Sequence, residues 1–284
     1  MRALGQVIMR RPVNALALAF SASFLPITVW LGAAVVALLV LRKGLNDAAS
    51  TALAAFIGAS LWYGLSGELT PVLVVISVLL ASISLRSNGS WLFVLLLVVL
   101  LGVINQLVLI GVSSEYLQAL IDVLNNAAAR MHSEQQANAK ELLSKVGMNE
   151  LAAYASQVIA YTTVGSVALA RWWQSELYNP GGFGAEFKAI RMHPGLTLVL
   201  LICVVGALYV KQTAWLGLLC LPLLIVGLAL VHSYVAHRQL ESHWLVMFYV
   251  LMILGGGIKL CLVMLAAIDS QLDFRKRWSH SHHN

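Results

Sequence analysis

Long runs of hydrophobic residues, separated by short polar stretches, extend along most of the chain. Most runs hold about 20 apolar residues, the length that an α-helix needs to cross the hydrocarbon core of a bilayer. The pattern predicts an all-α, polytopic integral membrane bundle with about eight transmembrane segments and an amphipathic helical connector. The predicted membrane segments are roughly 13–41, 45–66, 70–86, 90–112, 153–178, 195–210, 214–236 and 244–268.

A single long polar stretch interrupts the membrane segments. It divides the chain into N-terminal membrane segments (1–112), a polar connector (113–150), C-terminal membrane segments (151–270) and a basic, histidine-containing tail (271–284). In the connector, apolar residues recur at helical spacing from Tyr116 to Met131, and a second short piece covers 139–146. We expect amphipathic helices outside the hydrocarbon core, which form either a solvated connector or a docking surface for a partner protein.

The first apolar segment is too long for one straight span. As a single helix, 13–41 would measure about 43 Å, against a hydrocarbon core of about 30 Å. Pro26 lies near its middle, and proline removes a helix hydrogen bond and kinks or breaks a helix. We expect a break at Pro26, which produces either one kinked, tilted span or a hairpin that returns Arg42 and Lys43 to the starting side. Eight crossings correspond to the kinked span.

Composition supports the membrane assignment and excludes several functional classes. The chain is 60% hydrophobic and 11% charged, whereas a soluble domain carries about 25% charged residues. The net charge of +6 is scattered between apolar runs without interleaved aromatics, which argues against nucleic-acid binding. Counting basic residues on the two sides gives ten against seven for both topologies of the first segment, so this count does not decide the orientation.

No familiar catalytic or metal-binding motif is present. HExxH and GxSxG are absent, and the three cysteines lie inside apolar segments without CxxC spacing. The histidines of the tail, His280, His282 and His283, fit a flexible end better than a metal site. We therefore expect neither a cofactor nor an enzymatic activity.

Lys259 is the strongest candidate for a binding residue. It follows three consecutive glycines, Gly255, Gly256 and Gly257, in the middle of an apolar segment. Transporters use helices interrupted in this way to hold ions and substrates at mid-membrane, and a lysine would suit an anionic group. The alternative is that the glycines permit close helix packing while Lys259 snorkels. We expect Lys259 to face the bundle interior, because a lipid-exposed charge at that depth is costly.

Four further polar residues lie in or beside apolar segments. They are Asn105, Gln106, Arg171 and His232. Side-chain amides in membrane helices usually bond to neighbouring helices, so structural bonding is favoured over ligand binding for the first two. Arg171 and His232 lie near segment ends, where interfacial positions explain them as well as a ligand does.

Three motifs carry a family resemblance. They are the Pro26-centred first segment ending in Lys43 and Gly44, the run 170–174 with 178–183 and Glu186, and a closing motif of Asp269, Leu272, Asp273, Phe274 and Arg275. Together they resemble the YybS-like bacterial inner-membrane proteins, a family with a domain of unknown function. That family is distantly similar to the substrate-binding S-components of energy-coupling-factor transporters. The resemblance implies a multi-pass inner-membrane bundle without catalytic residues, although S-components usually have fewer helices than we count.

Two functional hypotheses follow. The first is a non-catalytic membrane protein of the S-component type that binds a small solute or lipid and needs a coupling ATPase as partner. The alternative is a structural or assembly protein that docks a partner through the 113–150 helices. A third, an intramembrane enzyme, lacks any supporting motif. A polar cavity containing Lys259 would favour the first, and a filled bundle with exposed apolar surface on the connector would favour the second.

Overall fold

A computed structural model describes residues 2–130, 143 and 146–280. The chain forms two compact units, Met1–Asn179 and Pro180–Asn284. Every regular element in the described residues is helical, as the apolar pattern predicts.

The first unit contains eight helices among its described residues. They are α1 (Arg2–Arg10), α2 (Pro12–Phe24), α3 (Val29–Lys43), α4 (Leu45–Ser66), α5 (Thr70–Asn88), α6 (Trp91–Val112), α7 (Ser114–Ala129) and α8 (Met148–Tyr178). Helix α3 is the centre of the unit: its residues from 32 to 41 are all buried, and it packs against α2, α4, α5 and α8. The core of this unit therefore surrounds a helix of 15 residues.

The chain turns back on itself at Pro26. Helix α2 ends at Phe24 and α3 begins at Val29, which confirms the predicted break. A Cβ atom placed on Gly32 of α3 would lie against Ser23 Oγ and 3.0 Å from the carbonyl oxygen of Ala19, both in α2. Along one continuous helix, positions 19 and 32 would be about 20 Å apart. The first segment is therefore a hairpin, and its prediction as one kinked span is wrong.

Small residues hold α2 and α4 close together. Both helices bury alanines, which are Ala15, Ala19 and Ala22 in α2 and Ala48, Ala52, Ala55 and Ala59 in α4. At Gly58 an added Cβ atom would collide with the carbonyl oxygen of Phe20. Small residues allow such close backbone approach, which is a common way for helices to associate in membranes.

The polar connector begins with the expected amphipathic helix. Helix α7 covers Ser114–Ala129, with Leu117 and Ala128 buried and Val123 exposed. Its charged residues Glu115 and Asp122 lie on the exposed side. Of the second predicted piece, 139–146, all but 143 and 146 lies outside the described residues.

The second unit is built from shorter and more strongly bent helices. They are α9 (Gly182–Ala189), α10 (Pro194–Tyr209), α11 (Leu216–His237, preceded by the 3-10 turn Thr213–Trp215), α12 (His243–Leu254), α13 (Gly256–Leu272) and α14 (Phe274–His280). The chain bends by 70° between α9 and α10 and by 116° between α12 and α13. Helix α11 packs against both α10 and α13.

Fewer helices than predicted are long enough to cross a bilayer. In the described part of the chain, four are sufficiently long and apolar: Leu45–Ser66, Thr70–Asn88, Trp91–Val112 and Thr213–His237. The number rises to six if each bent pair is one span, against about eight expected from apolar length alone. These helices fit an integral membrane protein.

Candidate functional site

The glycines at 255–257 interrupt the last apolar segment. Helix α12 ends at Leu254, Gly255 adopts an extended conformation, and α13 begins at Gly256. The glycines therefore interrupt the helix, which is the first of the two alternatives left open by the sequence. Close packing does not explain Gly257, because nothing lies within 4 Å of a Cβ atom built on it.

Lys259 is exposed in the first turn of α13. Its predicted position inside the bundle is therefore wrong. The packed face of α13 begins one turn later, at Leu262, and continues through Val263 and Ala266. Lys259 thus lies between the 116° bend and the first buried residue of α13.

Asn105 and Gln106 join helices of the first unit. Asn105 Nδ2 donates a hydrogen bond to Ser77 Oγ in α5 over 3.1 Å, and Gln106 Nε2 donates to the carbonyl oxygen of Asn149 in α8 over 3.3 Å. Both amides are at least nine-tenths buried. These contacts are the structural bonds that the sequence favoured for the two residues, since membrane helices commonly associate through side-chain amides.

His232 lies between three helices of the second unit. Its Nε2 atom is 2.7 Å from the hydroxyl oxygen of Tyr249 in α12, and its ring packs edge-on against Phe187 of α9 at 5.3 Å between centroids. One nitrogen of the ring is thus used inside the unit. The arrangement connects α11 with α9 and α12.

Arg171 belongs to the opposite end of the first unit from Gln106. It donates to Gln174 Oε1 one turn further along α8, and Gln174 Nε2 donates to the carbonyl oxygen of Leu41 over 3.4 Å. Gln106 bonds at the start of α8, about 33 Å away along that helix. The candidate residues of this unit therefore do not form one site.

A buried charged cluster, which no pattern in the sequence indicated, lies at the end of α13. Arg275 is only 7% exposed, and its Nη1 atom donates to the carbonyl oxygens of Lys188 at 2.6 Å and Ile190 at 2.8 Å. Asp269 lies 3.7 Å from the other arm of the guanidinium and accepts a hydrogen bond from the backbone of Phe274. Burial lowers the pKa of Arg275, and the neighbouring Asp269 opposes that shift.

This cluster anchors the tail to the end of α9. A neighbouring ion pair joins Arg191 to Asp273 at 2.7 Å on the surface. The closing motif Asp269, Asp273 and Arg275 was visible in the sequence, but only as a family resemblance. Its spacing carries a physical signal, because an aspartate at a helix end followed by a second short helix is typical of capping.

An apolar cavity of about 340 Å³ lies in the second unit, between α11, α13 and α14. Its lining residues are Leu230, Val231, Tyr234, Leu265, Phe274 and Trp278. The Tyr234 and Trp278 rings pack against each other at 5.4 Å, and His237 stacks on Trp278 at 5.6 Å. The cavity volume lies within the range of small-molecule sites, which are commonly lined by hydrophobic and aromatic side chains.

No protein-family model, curated protein or solved structure matches this chain. The resemblance to YybS-like proteins therefore stays a prediction. In the described residues, no group of three or more His, Cys, Asp or Glu side chains could hold a metal ion. His282 and His283 lie outside the described residues.

Proposed function

We propose that this protein is a non-catalytic integral membrane protein that binds a lipid or another apolar small molecule in its second unit. The observation that carries the proposal is the apolar cavity between α11, α13 and α14. A polar solute would gain little binding free energy from these apolar walls. A lipid chain would gain more, because its apolar surface would leave water, or would exchange lipid neighbours for apolar side chains.

The position of the cavity also favours a lipid. Tyr234 and His237 lie in the last turn of the apolar helix α11, and Trp278 lies in the short helix that follows α13. Tyrosine and tryptophan are enriched at the membrane–water interface. The guanidinium of Arg238 lies 5.7 Å from the Tyr234 ring centroid, so a cation is available beside the cavity for an anionic headgroup. An amphiphile with an acyl chain therefore suits this site better than a soluble metabolite does.

Polar residues provide weaker support for solute binding. Asn105 and Gln106 bond between helices, and Lys259 is exposed. A transport role of the S-component type would require a coupling ATPase, because the chain has no P-loop of its own. We propose that the function is lipid binding, and that transport coupled to a partner ATPase is one process in which this binding is used.

Filling the cavity tests the proposal. Leu265→Trp places a bulky indole ring in the cavity. Leu260→Trp adds the same ring at an exposed position of the same helix. We expect native mass spectrometry of the detergent-extracted protein to show a retained lipid mass for the wild type and for Leu260→Trp. That mass should fall several-fold for Leu265→Trp. Equal retention by all three proteins would refute binding in this cavity.

A second candidate function is docking of a partner protein through α7. It is supported by Val123, a hydrophobic residue that is 61% exposed on this amphipathic helix. A photo-crosslinking amino acid in place of Val123 should then give one discrete protein adduct in intact cells. The same amino acid in place of the exposed Asn126 serves as the control, and equal, heterogeneous products at both positions would exclude a specific partner.

A further inference from the structure

Basic residues from three helices meet at one end of the first unit. Arg86 Nη1, near the end of α5, donates to the carbonyl oxygens of Val40 and Leu41 over 3.1 and 2.7 Å, at the end of α3. The guanidinium of Arg42 lies 3.9 Å from the ring centroid of Tyr178, the last residue of α8. Arg10, at the end of α1, lines a cleft together with Tyr178. We call this region the basic end.

The hydrogen bonds at the basic end distinguish arginines that bond to the protein backbone from arginines that are accessible to a ligand. The last carbonyl groups of a helix have no partners within the helix and carry the negative end of its dipole. Arg86 and Gln174 bond to two of these carbonyl groups in α3, those of Val40 and Leu41. Arg10 and Arg42 are instead exposed at the surface. Two guanidinium groups therefore remain accessible to a ligand from outside the bundle.

The cleft at the basic end has a volume of about 350 Å³. It is lined by Gln6, Met9, Arg10, Leu177 and Tyr178. Polar donors thus alternate with apolar surface, in contrast to the wholly apolar cavity of the second unit. Such a mixture suits a ligand that carries both a charged group and a hydrocarbon portion.

Helix α1 packs against the end of α8 and forms one wall of this cleft. It is strongly amphipathic: Ile8 is buried, and Gly5 approaches Trp173 and Leu177 of α8 closely enough for a Cβ atom to touch both. Val7, by contrast, is 45% exposed. An amphipathic helix with exposed apolar and basic residues lies in the plane of the membrane interface.

We infer that the cleft between α1 and the end of α8 binds the headgroup of an anionic phospholipid. Arginine presents a planar fork of donors that matches phosphate oxygens, so Arg10 and Arg42 would contact the phosphate. Gln6 supplies a further polar contact, and Met9 and Leu177 face the start of the acyl chains.

The surrounding charge favours an anion. Arg11 and Lys43 adjoin the two arginines in sequence, while Asp47 and Glu176 are the acidic residues of the same segments. Juxtamembrane basic clusters attract anionic lipids. A free phosphate would use the same arginines, but it would leave the apolar half of the cleft and the exposed Val7 without a partner. We therefore assign a lipid.

The test uses the full-length protein in detergent and native mass spectrometry with three added probes: phosphatidylglycerol, phosphatidylcholine and glycerol 3-phosphate. The decisive variant combines Arg10→Gln with Arg42→Gln. The matched control is Arg130→Gln, an exposed arginine that follows α7. We expect the wild type and Arg130→Gln to retain phosphatidylglycerol over phosphatidylcholine. The double variant should lose this preference by about fivefold for each cation removed.

Three results would overturn the inference. One is unchanged phosphatidylglycerol retention by the double variant, and another is an equal loss in Arg130→Gln. The third is retention of glycerol 3-phosphate as strong as that of the lipid, which would identify a soluble phosphate as the ligand instead.

The Leu265→Trp variant separates this inference from the proposal for the apolar cavity. Because it leaves Arg10 and Arg42 in place, it should preserve the phosphatidylglycerol preference. Failure of the apolar cavity proposal is therefore distinguishable from failure of this one. A melting curve detects unfolding of the double variant. If that variant unfolds, the test is repeated with Arg10→Lys combined with Arg42→Lys, which keeps both charges and removes the bidentate donor fork of arginine.

Discussion

Two apolar helices, one in each unit, have opposite environments. Helix α3 of the first unit is buried along most of its length, whereas no residue of α12 in the second unit is buried. Both are rich in hydrophobic residues, so hydropathy alone does not distinguish them. The difference lies in the smallest side chains: α3 contains Gly32 and three alanines, whereas α12 contains neither glycine nor alanine. Helix interfaces in membranes favour small residues, because lipid tails are as apolar as leucine.

The same contrast applies to the two units. The first is held by contacts between small residues along α2, α3 and α4. In the second, Gly227 of α11 meets the backbone of Leu262 in α13, and a buried charged cluster lies at the end of α13. We therefore expect the units to respond differently to overpacking and to loss of charge.

The largest effect concerns the hairpin of the first unit. In a background without Cys203, Cys220 and Cys261, cysteines in place of Arg11 and Lys43 should be labelled by an impermeant maleimide from the same side of the membrane. The α2–α3 hairpin brings both to the basic end. A cysteine in place of Asn125 of α7 is the control and should be labelled only from the opposite side, because α6 runs from one end of the unit to the other. Labelling of the first two positions from opposite sides would refute the hairpin.

Removal of the buried charge should be the most damaging substitution in the second unit. Arg275→Met leaves Asp269 buried without its cation and leaves the carbonyl oxygens of Lys188 and Ile190 without a donor. Loss of one partner of a buried pair costs about 3–5 kcal/mol. We expect limited proteolysis to release the tail from 273 onward much faster. Arg277→Met, at an exposed position of the same helix, should leave the cleavage rate unchanged, and equal rates in the two variants would contradict the anchoring role.

Overpacking should damage the first unit through the contact between α2 and α4. Gly58→Leu forces a side chain against the backbone of Phe20, and overpacking of a close contact costs about 1–3 kcal/mol. Gly64→Leu is the matched control, since nothing lies within 4 Å of a Cβ atom at that position of the same helix. The melting temperature in detergent should fall for the first variant only. Similar melting temperatures would mean that this contact does not determine stability.

The smallest effect is expected at Asn105. Its hydrogen bond to Ser77 belongs to a class of interhelical bonds that contributes about 0.6 kcal/mol in membranes. A double-mutant cycle of Asn105→Leu and Ser77→Ala, measured by unfolding in mixed micelles, should give a coupling free energy near that value. Additive single effects would show that the bond contributes nothing to stability.

Local features of the fold could be predicted from single positions. Pro26 predicts the break between α2 and α3, the periodicity from Tyr116 predicts α7, and the glycines at 255–257 predict the interruption before α13. Each of these depends on local backbone chemistry. The helix count was less predictable, because apolar length does not reveal whether a helix crosses the bilayer or, like α3, is buried in protein.

The candidate sites were harder to predict because they depend on tertiary contacts. Lys259 is exposed, although its depth in the apolar run indicated an interior position. A bend of 116° precedes it, and no pattern in the sequence encodes that angle. The basic end combines residues from α1, α3, α5 and α8, which meet only because α2 and α3 form a hairpin. The sequence therefore contained these residues without indicating that they lie together.

The short α2–α3 hairpin has a consequence for biosynthesis. The 13 residues of α2 and the 15 residues of α3 correspond to helices of about 20 and 23 Å, shorter than the hydrocarbon core of about 30 Å. Neither helix can be inserted alone as a stop-transfer segment. We therefore expect α2 and α3 to enter the membrane as a pair, and α3 to gain its protein neighbours α4, α5 and α8 only as these later segments are synthesised.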